Sequence, residues 1–261
     1  ALVGGLLAAG SLDEFADWAG TLTQRTMLRL LDPSITAAGV FRAGKILDAV
    51  RDILGEVTIE ALPIPYTAVA TDLIAGKSVW LQRGPVDEAI RASIAIPGMI
   101  APHVLDGRLL ADGGILDPVP IAPIASVNAD LTIAVCVSGM ETEINVDDQA
   151  GTEPKLARER LNRLLRRFSW APDGVIGADP AETEEAPGPR LGSFAVMNRS
   201  FDIAQAALAR HQMAAYPPDL VIEVPRTACR SLDFHRAAEM IDIGHSLAAR
   251  ARDRLEGRAE P

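Results

Sequence analysis

An apolar run, Leu109-Leu110-Ala111, delivers a single carboxylate, Asp112, onto two consecutive glycines, Gly113 and Gly114, and the chain then leaves through Asp117-Pro118-Val119-Pro120. Three apolar side chains in a row suit a buried strand. Asp106-Gly107 just before them is a strong two-residue hairpin turn. The glycines supply backbone freedom and leave room for another group to approach the carboxylate closely. The segment therefore reads as a hairpin strand that ends on Asp112. Taken alone it fits an ordinary Asp-Gly-Gly turn as well as a site, because a tripeptide is a weak signal, so the segments around it have to decide.

Those segments alternate between helical and strand patterns. Ala1 to Ala9 is small and apolar all round, the composition of a helix packed on every side. Ser11, with Glu14 three residues on, predicts a capping box for a helix over 12–22. A basic, apolar helix over about 26–31 is stopped by Asp32-Pro33. Ile46, Leu47, Val50 and Leu54 fall at helical spacing over 44–54, with Gly55 as the C-cap. Tyr66 to Leu73 and Ser78 to Gln82 are rich in β-branched and aromatic residues. They are separated by Ala75-Gly76-Lys77, which predicts a hairpin or neighbouring strands. A helix begins with Pro85 at its first position and runs to Ile94. Residues 118–127 read as a short helix leading into a strand over 131–137. A helix over 200–216, a last strand over 220–224 and a closing helix over 233–255 complete the chain. Alternation of this kind argues for an α/β fold with a largely parallel core, in one domain over 1–261.

Residues 140–190 break the pattern. Glu141, Glu143, Asp147, Asp148 and Glu153, then Asp179, Glu182, Glu184 and Glu185 among glycine and proline, predict a mobile acidic insertion. Inside it, at about 155–169, Ala157, Leu161, Leu164, Leu165 and Phe168 share one helical face, opposite Arg160, Arg163, Arg166 and Arg167. Such a helix could lie on an anionic membrane surface with Trp170 at the interface, or serve as a lid or a docked helix.

Composition excludes several classes. A formal charge of −10 argues against nucleic acid as a partner, since a phosphate-binding surface needs a basic face. Two cysteines, Cys136 and Cys229, are too few for a disulfide framework and lack metal-ligand spacing, which implies free thiols in a reducing compartment. No apolar run approaches the roughly eighteen residues of a membrane span, and the start has no basic signal-peptide region. The expectation is a cytoplasmic protein, at most peripheral to a membrane. His103, His211, His235 and His245 are scattered, so a zinc site is not indicated. The acidic residues of 141–153 lack the spacing of a calcium loop. No cofactor is expected, and the sequence sets no oligomeric state.

Asp112-Gly113-Gly114 stands in a run of other recognisable text: Ala1-Leu2-Val3-Gly4-Gly5-Leu6, then Pro63-Ile64-Pro65-Tyr66-Thr67-Ala68-Val69-Ala70-Thr71-Asp72-Leu73, then Arg91-Ala92-Ser93-Ile94-Ala95-Ile96-Pro97-Gly98, Asp117-Pro118-Val119-Pro120 and Leu232-Asp233-Phe234-His235-Arg236-Ala237. In that order these segments resemble the patatin-like phospholipase family, bacterial branch, over nearly the whole chain apart from about 140–190. The resemblance implies a three-layer α/β domain. It also implies hydrolysis of phospholipid, lysophospholipid or neutral ester by a Ser-Asp dyad without histidine, with Asp112 as general base and Gly113 and Gly114 supporting it. Burial would raise the carboxylate's pKa and suit it to that task. In the family the first helix follows a Gly-x-Ser-x-Gly elbow, and Ala1 aligns with the residue just after it. The nucleophile, first strand and oxyanion loop are thus expected upstream, and the chain as given is expected to be inactive. The other class of reading is a non-catalytic patatin-like remnant that serves as a binding or scaffold module. One departure bears on Asp112: Asp117 stands where the family usually carries Asn. Its charge could raise the Asp112 pKa further or face water.

Other serines fit the nucleophile role poorly. Gly244-His245-Ser246-Leu247-Ala248 resembles a lipase elbow, but the residues before it are helix-periodic and too little chain follows to supply an acid and a histidine. Ser93 and Ser138 lack the frame, and Ser93 is expected to cap or pack beside the site.

Overall fold

The computed structural model describes residues 1–23, 25–26, 30, 44–125, 129–139, 193–225, 228–229 and 233–259. Contacts divide the chain into a first unit, 1–141 with 198–261, and a second, 142–197. The first unit carries Asp112. The stretch expected as an acidic insertion over 140–190, with its amphipathic helix at about 155–169, lies outside the described residues, as does most of the 26–31 helix.

Helices α1 (Leu2–Ala9), α2 (Leu12–Gly20), α3 (Gly44–Leu54) and α4 (Val86–Ser93) surround a four-stranded sheet of β1 (Ala68–Asp72), β2 (Lys77–Leu81), β3 (His103–Leu105) and β4 (Arg108–Asp112). Its strand order is β2-β1-β4-β3, and every pairing is antiparallel. A second, two-stranded sheet pairs β5 (Ile133–Gly139) with β6 (Leu220–Pro225) in parallel. Helices α5 (Ser193–Ala215) and α6 (Ala237–Ala259) complete the described elements of length. The α/β class is as expected, but the parallel arrangement holds only for β5 and β6. For the β1–β2 and β3–β4 pairs the cause is connection length: these links are short turns, and a parallel pair needs a crossover of about a dozen residues. The second of those turns places Asp106 at φ 50° and Gly107 at φ 74°. That is the two-residue hairpin turn in which both positions are left-handed.

The main core collects Leu6 of α1, Val50 and Leu54 of α3, Ile59, Ala68 of β1, and Val86, Ala89 and Ile90 of α4. Leu6 and Ile90 are wholly buried, each contributing about 1.5–3 kcal/mol of apolar burial. Beside it, Ala70, Ala92 and Leu110 pack β1, α4 and β4 together. Val119, Ile121, Ala134, Cys136 and Ala209 join the loop after β4 to β5 and α5. Helix α3 has the predicted limits, and Gly55 at φ 68° returns its N–H to Arg51 O at 2.8 Å.

Several local expectations fail for identifiable reasons. The Ser11 capping box does not form. Ser11 N donates to Leu6 O at 2.9 Å in the turn that ends α1, which leaves Ser11 at ψ 13° instead of the extended conformation a cap requires. Pro85 is the N-cap of α4 and not its first helical residue. The helix expected over 118–127 is reduced to a 3₁₀ turn, Ala122–Ile124, because Pro118, Pro120 and Pro123 each remove an N–H donor. Helix α1 is buried on one side only, since Val3 and Leu7 are exposed. One face of β5 is also open, with Ile133, Val135 and Val137 exposed, and β5 pairs with β6 alone among the described residues.

Candidate active site

Asp112 is the last residue of β4, paired across from Ala70 of fully buried β1. Both backbone groups of Asp112 are committed: its N–H donates to Ala95 O at 3.0 Å, and its carbonyl accepts from the Thr71 hydroxyl at 2.9 Å. The strand then breaks into a 3₁₀ turn, Gly113–Ile115, whose Gly114 N–H donates to Asp112 Oδ1 at 2.7 Å. Asp117 N closes the loop onto Gly113 O at 2.8 Å. The residue is therefore held through both of its backbone groups, and its carboxylate by one backbone N–H, which leaves one oxygen not used by that turn.

The two glycines do different work from the expected clearance. A Cβ on Gly113 would stand 2.2 Å from Val69 O, so this residue is pressed against the backbone of β1. The same Val69 carbonyl accepts from the Ser93 hydroxyl at 2.6 Å, which puts Ser93 beside the site as expected and shows what it holds. A Cβ on Gly114 would stand 2.8 Å from Gln205 Nε2. The space beside the glycines is thus filled by the protein itself.

Helix α1 approaches from another side. A Cβ on Gly5 would meet Ile90 Cδ1 at 2.9 Å and Tyr66 Cζ at 3.4 Å, so the helix lies close on α4 and on the Tyr66 ring. The Tyr66 hydroxyl donates to Ala1 O at 3.0 Å, the carbonyl that also accepts Gly5 N–H at 2.8 Å. Burial raises the Tyr66 pKa, keeping its proton available for that bond. The Ala1 nitrogen and the Asp112 carboxylate are near enough for each charge to move the other's pKa. Burial pushes the amino group down, and Asp112 opposes that shift. Burial pushes the Asp112 carboxyl up, opposed by the Gly114 N–H and by the amino group.

Asp117 takes neither of the two places considered for it. It is half-buried, its pKa is raised by burial, and its carboxylate is hydrogen-bonded to Gln212 of α5, which also donates to Leu116 O at 3.1 Å. The groups that move Asp112 are burial, Gly114 and the Ala1 amino group. Ser246 lies exposed within α6 and donates to Asp242 O at 3.0 Å, a helix-internal bond. Among the described residues no cluster of histidine, cysteine, aspartate or glutamate could hold a metal ion. Two clefts of about 260 and 460 Å³ open between β6 and α6, and their linings include neither Asp112 nor its turn.

The patatin-like phospholipase family model matches residues 1–125, which include α1 and the Asp112-Gly113-Gly114 turn. An uncharacterized NTE family protein of Mycobacterium tuberculosis is 58% identical over 98% of this chain and 81% of its own length. The chain belongs to the patatin-like phospholipase family. A patatin-like phospholipase domain-containing protein of Caenorhabditis elegans is 29% identical over 93% of the chain and 17% of its own length. The neuropathy target esterase of Drosophila melanogaster is 28% identical over 48% of the chain and 9% of its own length. These relatives mark the family as one of lipid hydrolases. Among the described residues no helix is long and apolar enough to cross a membrane.

Sequence reasoning reached Asp112, Gly113, Gly114 and Ser93 but missed Thr71, Tyr66, Gln205 and Gln212. Tyr66 lay inside a segment quoted for its resemblance, where a buried hydroxyl's need for a partner was the available signal. The two glutamines carried a fainter one: they are seven residues apart, two turns along one face of a helix.

Proposed function

We propose that the protein is a serine acyl hydrolase of lipid or ester substrates, with Asp112 as general base and with its nucleophilic serine in the segment that precedes Ala1. One observation carries this reading: the nitrogen of Ala1, at the N-terminus of α1, lies close enough to the half-buried Asp112 carboxylate to interact with it. Where the chain continues upstream, that nitrogen is a peptide N–H at the positive end of α1. A serine close before it would meet both the base and the positive end of α1.

The chemistry follows from these parts. The serine hydroxyl attacks the ester carbonyl while Asp112 takes its proton. The oxyanion forms at the N–H groups of the helix start and of the preceding loop, which supplies a term comparable to or larger than the base. Asp112 returns the proton to the departing alcohol, and a water then repeats the sequence to free the acid. Burial supports this role, because a carboxylate with a raised pKa is a stronger base.

The test is hydrolysis of p-nitrophenyl butyrate by the full-length protein and its Asp112→Asn variant. Loss of the base should lower kcat by about 10²–10⁴. Activity kept in Asp112→Asn would refute its role. Turnover by residues 1–261 alone, abolished by the same substitution, would refute an upstream nucleophile. A full-length protein that hydrolyses no ester would favour a binding or scaffold module instead.

A further inference from the structure

We infer that Gln205 of α5 is a positioning residue for Asp112, acting through the backbone of Gly114. The inference rests on the proposed role of Asp112 as base. Its starting point is a weakness in the turn: two consecutive glycines are the most freely rotating pair a chain can offer, yet a base must be held to within a fraction of an ångström to work. Something outside the turn has to remove that freedom. Gly113 is held by contact with the Val69 carbonyl. The nearest neighbours of a Cβ on Gly114 are side-chain atoms, Gln205 Nε2 at 2.8 Å and Asp112 Oδ1 at 3.2 Å.

The hydrogen bonds show how the restraint reaches the carboxylate. Gln205 Nε2 donates to Gly114 O at 2.8 Å, and the N–H of the same glycine donates to Asp112 Oδ1 at 2.7 Å. Holding the carbonyl end of Gly114 restrains the rotation between its two peptide planes and so helps aim the N–H at Asp112. Two turns further along α5, Gln212 Nε2 donates to Leu116 O at 3.1 Å and holds Asp117. A single helix therefore grips the Asp-Gly-Gly loop at two carbonyls, 91 and 96 residues away in sequence. Of the groups around Asp112, the Ala1 nitrogen of α1 is an uncharged peptide N–H in the full-length protein, and Asp117 on its own loop is turned to Gln212.

A residue that merely fills space beside Gly114 would leave the titration of Asp112 unchanged when replaced by one of equal size. A positioning residue would not, because the N–H bond that stabilises the carboxylate would loosen. The experiment is a carboxyl-detected NMR titration of Asp112 in the full-length protein, assigned by its absence in Asp112→Asn. It is paired with the pH profile of kcat/KM for p-nitrophenyl butyrate. In Gln205→Met, which fills the same volume without a donor, the Asp112 midpoint should rise by about half a unit to one unit. The acid limb of the profile should rise with it, and kcat should fall with KM little changed. Ile203→Ala, exposed on the same helix, should leave both pH values in place. An Asp112 midpoint unmoved in Gln205→Met overturns the inference. A midpoint that moves in a protein whose wild type hydrolyses no ester sustains the link to Asp112 and refutes the proposed function instead. If Gln205→Met does not fold, Gln205→Asn, one methylene short of the Gly114 carbonyl, reads the same shift.

Discussion

Replacing Gly113 by alanine tests the packing that places Asp112. The added Cβ would lie 2.2 Å from Val69 O, 2.7 Å from Val69 C and 3.2 Å from Val69 Cβ, so the turn and β1 must separate by about 0.8 Å before the first contact reaches 3.0 Å. Neither side yields easily. Every residue of β1 is buried and paired to β2, and Ala70, Thr71 and Asp72 are paired to β4 as well. The turn is tied at Asp112 by Ala95 and Thr71. Overpacking of this kind costs about 1–3 kcal/mol. Displacing the Val69 carbonyl from the Ser93 hydroxyl adds about 0.5–1.5 kcal/mol. The expected total is about 2–4 kcal/mol. Gly114→Ala is the internal comparison: its nearest neighbour is the end of the flexible Gln205 side chain, which can rotate away, so its cost should be about 1 kcal/mol. Urea unfolding followed by far-ultraviolet circular dichroism measures both. Equal losses for the two variants, or a Gly113→Ala midpoint close to wild type, would refute the argument that Gly113 is required by contact with β1.

Asp112→Asn should stabilise the fold at neutral pH while removing activity. Burial raises the folded-state pKa of Asp112 above its ordinary value of 3.8, so the folded state binds the proton more tightly than the unfolded chain. The stability associated with that proton is full below pH 3.8 and is lost as pH rises through the folded-state pKa. The asparagine variant, which can still accept the Gly114 N–H, escapes this loss. Its thermal midpoint should exceed that of wild type at pH 7, and the gap should close on acidification; a constant gap would contradict the raised pKa. Tyr66→Phe removes the donor to Ala1 O, which keeps its bond from Gly5. The expected loss is about 0.5–1.5 kcal/mol in urea unfolding, and no measurable loss would mean that the hydroxyl does not fasten the start of α1.

What the sequence made legible follows from how far each cause reaches along the chain. The β3–β4 hairpin was visible because Asp106 and Gly107 are the residues a left-handed two-residue turn needs, and the turn determines the pairing on its own. Helix α3 was visible because four apolar residues and a terminal glycine specify it locally. Strand direction was not visible, since an alternating pattern of strands and helices is compatible with hairpins whose short links force antiparallel pairing. The Ser11 cap failed because a neighbouring turn had already taken its backbone, a competition that no four-residue motif contains.

The same distinction runs through the site. Asp112 and its glycines were legible because a carboxylate between an apolar strand and two glycines is unusual in one dimension. Their supports were not, because each is a bond from a side chain to a backbone atom far along the chain: Thr71 to Asp112 O, Ser93 to Val69 O, Tyr66 to Ala1 O, Gln205 to Gly114 O. A carbonyl has the same chemistry at every position, so its partner leaves no mark in its own sequence. The donors are ordinary polar residues that become informative only when found half-buried beside an acceptor. For that reason the positioning of Asp112, as distinct from its identity, could be read only from the fold, and variants of these four donors test the site more sharply than further variants of the motif.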